Sequence, residues 1–111
     1  MRRKDKELKA EKIIYISGPI TGVENYKEAF NKAEQELTAA GFLVLSPTCL
    51  PKGLSNGKYM RIDLAMIDCA DAVLFLPDWD RSKGALVEFA YCSYTDKPCF
   101  YGTATLKEAL A

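Results

Sequence analysis

Short unbroken apolar runs alternate along this chain with longer stretches in which apolar side chains return every third or fourth residue. Lys12–Ser17 (KIIYIS) is β-branched and aromatic and stops at Gly18-Pro19. A run of that kind, bounded by turn residues, predicts a buried strand. Asn25 followed by Glu28 predicts a reciprocally capped helix start. Ala29, Ala33, Leu37 and Ala40, joined by Phe30, follow at helical spacing, and Gly41 supplies the stop. Phe42–Leu45 (FLVL) predicts a second strand, closed by Ser46-Pro47. Thr48–Lys58, with Pro51, Gly53, Asn56 and Gly57, predicts a long loop, the kind of segment that serves as a lid or binding edge. Tyr59–Asp68 predicts a helix on its Met60–Leu64–Ile67 stripe, with Tyr59 and Asp63 one turn apart on its flank. Asp71 falls at the turn into the third strand, Ala72–Leu76, and reads as a structural cap. A loop then leads to a helix over Lys83–Thr95, with Leu86, Phe89, Ala90 and Ser93 expected inward. Asp96-Lys97 predicts a turn, Pro98–Tyr101 a fourth strand and Thr105–Leu110 a last short helix.

Because the strands are continuous apolar runs, both of their faces are expected to be covered. The element order predicts an α/β fold: a single doubly wound, flavodoxin/Rossmann-like parallel sheet of four to five strands with helices on both faces. Right-handed crossovers make the sheet doubly wound, and the flavodoxin-like order 2-1-3-4 is one arrangement open to it. In such sheets ligands bind beyond the carboxyl ends of the strands, near the switch in strand order.

Composition narrows the chemistry. A chain of 111 residues has room for one domain, placed here at 12–111. Residues 1–11 mix both signs of charge and read as a flexible arm or a frayed helix. The 15 basic and 15 acidic residues balance, so no long-range field draws in a nucleic acid polymer or an anionic membrane. No apolar run approaches the roughly 20 residues of a spanning helix. The start, MRRKDKELKAEK, lacks the apolar core and cleavage site of a signal peptide, and a cytoplasmic protein is expected. The four cysteines, Cys49, Cys69, Cys92 and Cys99, show no C-x-x-C spacing and are expected to be reduced and mostly buried. There is no histidine, which excludes Ser-His-Asp and Cys-His catalysis and His-based zinc sites. Carboxylates, Tyr, Lys, Cys and hydroxyls remain, and neither metal nor cofactor is expected.

Among these, Glu88 stands out as a carboxylate in a small and apolar stretch, Gly84 to Ala90. It reads either as a structural ion pair or cap, or as a poised chemical group. Asp63 lies near the start of the helix feeding strand three, so the two acids can converge at the carboxyl edge. Tyr15, on the strand between them, can donate its hydroxyl to one of them. The turn Gly18–Gly22 is open to two readings: an ordinary strand-to-helix connection, or a backbone that approaches a ligand closely. Two carboxylates and a phenol suit chemistry at an anomeric carbon, where one acid attacks and the transition state resembles an oxocarbenium ion.

IYISGPITG (Ile14–Gly22), Tyr59-x-x-x-Asp63, CADAVLFLPDWD (Cys69–Asp80) and S-x-G-A-x-x-E (Ser82–Glu88) together resemble the nucleoside 2-deoxyribosyltransferase superfamily. That group includes the 2'-deoxynucleoside 5'-phosphate N-hydrolases and small DUF4406-like, often phage-encoded relatives. The last of these are the nearest in pattern, through Trp79, Ser82, Gly84, Ala85 and Glu88. The resemblance implies that Glu88 attacks C1' of a deoxyribose, that Asp63 assists at the sugar or base, and that Tyr15 positions the nucleophile. It also implies a substrate-lining turn, Ser17, Gly18, Pro19, Ile20 and Gly22, completed by Trp79, Ser82 and Gly84. Trp79 reads either as a cover over a base or as a packing anchor. Ser82 stands where the phosphate-reading hydrolases carry a serine and the transferases an aspartate, which favours a nucleotide. Pro19 and Thr21 stand in place of a serine and an arginine of the hydrolases, and Leu86 in place of a glycine. The implied activity is cleavage or transfer of the N-glycosidic bond of a (deoxy)nucleoside or its 5'-monophosphate. A non-catalytic nucleotide-binding module is the alternative. A homodimer or larger assembly, with the site completed by a neighbour, is expected.

Overall fold

A computed structural model describes residues 12–110, so the charged arm expected at 1–11 lies outside the described residues. The elements are β1 (Ile13–Ser17), α1 (Tyr26–Ala39), β2 (Leu43–Leu45), α2 (Asn56–Cys69), β3 (Ala72–Phe75), α3 (Lys83–Thr95), β4 (Cys99–Phe100) and α4 (Thr103–Leu110). Single 3-10 turns occupy Pro47–Cys49 and Trp79–Arg81. The four strands are all parallel, in the order β2-β1-β3-β4. The α/β fold is the one the apolar runs predict, and the strand order is the flavodoxin-like arrangement open to it.

Strand alternation divides the core in two. Ile14, Ile16, Ala72, Leu74 and Leu76 pack on one face with Phe30, Ala33 and Leu37 of α1 and Leu106 of α4. Tyr15, Val73 and Phe75 pack on the other with Ile67 of α2 and Cys92 of α3. Successive side chains point to opposite faces, so a strand covered on both sides must be apolar at every position. Each fully buried Ile or Leu contributes roughly 1.5–3 kcal/mol, which makes the central strand β1 a principal anchor. Asp71 ties the sheet at its lower edge. Its Oδ2 accepts the Ile13 N–H at 2.7 Å, and its own N–H donates to the Ile13 carbonyl at 2.7 Å. The structural reading of Asp71 therefore holds.

Several local expectations are corrected. Asn25 makes no side-chain capping bond; the start of α1 is closed instead by the Glu28 N–H on the Asn25 carbonyl at 3.1 Å. Ala29 and Ala40 are exposed, so the buried stripe of α1 narrows to Phe30, Ala33 and Leu37. Helix α2 begins earlier than Tyr59, at Asn56, because Ser55 Oγ accepts the Lys58 N–H at 3.3 Å and caps it. The loop before it is pinned by Tyr59, whose hydroxyl donates to the Pro51 carbonyl at 2.6 Å and accepts from the Leu54 N–H at 3.3 Å. Cys92 is buried and Cys99 half-buried, but Cys49 and Cys69 are exposed. Cys69 is the last residue of α2, and Cys49 sits in a 3-10 turn outside the sheet.

The largest correction concerns α3. Leu86, Ala90 and Ser93 lie outside the buried stripe; the inward residues are Ala85, Glu88 and Cys92, with Phe89 half-buried. The helix is apolar nearly all round, so its hydrophobic pattern does not choose a rotation. Polar groups on β1 choose it by drawing the Glu88 side chain inward.

Candidate active site

Tyr15 and Ser17 are two apart on β1, and so project to the same side of the sheet. Both are fully buried. The Tyr15 hydroxyl donates to Glu88 Oε2 at 3.2 Å, and the Ser17 hydroxyl donates to Glu88 Oε1 at 2.6 Å. Ser17 is itself held in place, since its carbonyl accepts the Leu76 N–H at 2.8 Å. Glu88 reaches this point because of how α3 starts. After β3 the chain passes through Asp78, whose left-handed φ of 65° is a conformation that Asp tolerates better than most residues. Ser82 then caps α3, its Oγ accepting the Ala85 N–H at 3.2 Å. One turn further on, Glu88 faces the sheet.

Asp63 comes to the same place from α2. It is 7% exposed and Glu88 is 5% exposed, and the two carboxyl groups adjoin. Burial is the main cause pushing Glu88 up to about 8; the adjoining Asp63 adds to the rise, while the hydrogen bonds from Ser17 and Tyr15 oppose it. Burial also raises Asp63. The Tyr15 phenol is pushed up by burial and then by the two carboxyls, so it stays a donor through the neutral range. Asp63 Oδ1 is buried without a hydrogen-bond partner among the described residues. The adjoining Glu88 carboxyl can supply one only when one of the two acids is protonated. Two touching buried carboxyls cannot both ionise cheaply, and a single proton shared between them relieves the repulsion.

The remaining sequence candidates surround this cluster or support it. Gly18 follows Ser17 directly; a Cβ there would lie 3.0 Å from Leu76 Cβ, so the glycine answers a packing demand. Pro19 and Ile20 are half-buried, and Ile20 packs against the core on the α1 side. Gly22 is exposed with φ +79°, a conformation that favours glycine. Gly84 stands near Met60 and Ser82, since a Cβ on it would lie 3.8 Å from Met60 Cε and 3.9 Å from Ser82 Oγ. Trp79 is half-buried and packs against Phe75 and Phe89, at ring-centroid distances of 5.0 Å and 4.8 Å. Tyr101, absent from the sequence candidates, extends this aromatic group by stacking on Phe75 at 5.8 Å and 21°. The link from Ser17 to Glu88 was also missed, although the Tyr15-x-Ser17 spacing on one strand face was a signal for it. A shallow dip over α1, lined by Asn31, Glu34, Gln35, Thr38 and Ala39, lies apart from these groups and gathers no comparable chemistry. Among the described residues no group of three or more Cys, Asp or Glu side chains is placed to hold a metal ion. No helix among them is long and apolar enough to cross a membrane.

Fold and site together define a class: a small doubly wound parallel-sheet domain with a buried carboxyl pair, one member of which, Glu88, is gripped by hydroxyls of the central strand. Residues 12–101 match the family described as "Domain of unknown function (DUF4406)", and the chain belongs to that family. Its fold is that of nucleoside 2-deoxyribosyltransferase-like proteins. It is similar to the solved structure of a 2-deoxyribosyltransferase from Bacillus psychrosaccharolyticus, with 27% identity and a TM-score of 0.62 over 78% of this chain and 69% of that one. Nothing among curated proteins matches the chain.

Proposed function

We propose that this chain acts on the N-glycosidic bond of a (deoxy)nucleoside or its 5'-monophosphate, with Glu88 as the nucleophile. The observation that carries the reading is the buried Glu88 carboxyl, held on both oxygens by Tyr15 and Ser17 and touching Asp63, in a fold similar to a 2-deoxyribosyltransferase. Reaction requires the shared proton to sit on Asp63 while Glu88 is anionic. Glu88 then attacks C1', the C–N bond breaks, and the departing base takes up the proton from Asp63. The glycosyl ester is released to water or to a second base, with retention over the two displacements. Ser82, Gly84 and the Gly18–Gly22 turn are the candidates for lining the sugar and phosphate, and Trp79 for the base side.

Incubation of purified protein with a panel of nucleosides and 5'-monophosphates tests this, with free base as the product followed. Base release is expected, and Glu88→Ala is expected to abolish it. Release that persists in that variant refutes the role of Glu88.

One observation favours a second reading. In the single chain the carboxyl pair is almost closed off, as a non-catalytic nucleotide-binding module could tolerate. That module would gain thermal stability with a nucleotide and release no base. We further propose a homodimer or larger assembly. Leu86, Val87 and Tyr94 are exposed on the outer face of α3, at 43%, 48% and 90%, beyond what a solvated helix needs.

A further inference from the structure

We propose that Ser17 is a positioning residue for Glu88, holding one carboxyl oxygen and keeping the acid ionisable inside the core. The proposal rests on the reading of Glu88 as the reacting group. It goes beyond that reading by giving Ser17 a role other than contact with substrate.

Ser17 is fully buried and lies on the sheet face that carries Tyr15, so its hydroxyl has little room except toward α3. Its backbone is fixed by the Leu76 N–H and by register against Phe75 of β3. The Oγ–Oε1 distance of 2.6 Å is in the range of a charge-assisted bond, whereas Tyr15 holds Oε2 at 3.2 Å. The two hydroxyls therefore act unequally: Ser17 clamps one oxygen, and the more loosely held Oε2 is the freer to attack.

A hydroxyl can donate to the anion, and it stabilises that form over the neutral acid. Glu88 needs this because its burial and its acidic neighbour both favour the neutral acid. The titratable groups facing it are Tyr15 from β1, Asp63 from α2, and Cys92 one turn along its own helix. Asp63 and the apolar surroundings raise Glu88; Ser17 is the strongest group opposing them.

The test is the titration of Glu88 in the whole chain, with Ser17→Ala and Ser17→Cys as variants. The protonated-carboxyl infrared band assigned to Glu88, as the band missing in Glu88→Gln, is followed against pH. Removing one hydrogen bond to a charged group is expected to move its midpoint up by about one pH unit or more. Ser17→Cys, close in size but a weak donor, is expected to fall in between, and supplies the answer if Ser17→Ala does not fold. The alkaline limb of kcat/KM for base release, where the pair loses the proton that the reaction needs, is expected to move with the infrared midpoint. Midpoints within experimental scatter of one another in all three proteins would overturn the assignment. The two ideas separate cleanly. A shifted midpoint without any base release keeps Ser17 in its role and removes the glycosidic reading. Base release that needs Glu88, with an unmoved midpoint, does the reverse.

Discussion

Glu88→Gln is expected to make the protein inactive yet more stable in alkaline solution. The reason is the proton that the folded chain keeps. Below about pH 4.5, the ordinary value for this side chain, folded and unfolded chains both hold it. Between there and about 8 the unfolded chain has released the proton and the folded chain has not. The folded state then binds more protons, so stability falls as pH rises, by roughly 1.4 kcal/mol per unit. Above about 8 both states have lost the proton and the decline is complete. Over the full window the loss is on the order of 4–5 kcal/mol, a large part of the 5–15 kcal/mol typical of a domain. The glutamine side chain of the variant is neutral at every pH and nearly the same shape. Its carbonyl can accept from Ser17, and its amide can donate to Asp63 Oδ1, which has no partner among the described residues. Urea unfolding followed by the fluorescence of Trp79, the single tryptophan, measures both proteins from pH 5 to pH 9. The variant should match the native protein near pH 5 and exceed it by several kcal/mol at pH 9. Parallel curves across that range, or a variant that is the weaker at pH 9, would show that Glu88 does not carry a buried proton.

Tyr15→Phe removes the donor on Glu88 Oε2 at 3.2 Å; it should cost about 1 kcal/mol in denaturant unfolding and lower base release about tenfold in steady-state kinetics. Gly18→Ala places a Cβ 3.0 Å from Leu76 Cβ and should destabilise by about 1–3 kcal/mol, read as a drop in melting temperature; an unchanged melting temperature would mean the strand end can shift at no cost. Leu86→Lys combined with Tyr94→Lys puts charge on the exposed apolar stripe of α3 and should reduce the solution mass to that of one chain, measured by light scattering.

The sequence by itself determined the architecture. Four apolar runs without alternation can be satisfied only by a sheet covered on both faces, and the helices between them force parallel strands; β2-β1-β3-β4 is one order these rules permit, and the packed structure takes it. It also singled out Glu88, a carboxylate in an apolar stretch, Asp63, near the start of the helix feeding strand three, and Tyr15, on the strand between them. It could not fix the rotation of α3. Leu86, Val87, Phe89 and Ala90 give that helix apolar side chains on more than one face, so periodicity named the wrong stripe. Only the packed structure decided it, through hydrogen bonds that link residues more than seventy positions apart: a buried carboxyl turns toward hydroxyls that can satisfy it, even at the cost of leaving Leu86 and Val87 in water. For the same reason Ser17 appeared in the sequence as part of a turn and in the fold as a partner of Glu88, since hydrogen bonds depend on distance in space and not on separation along the chain.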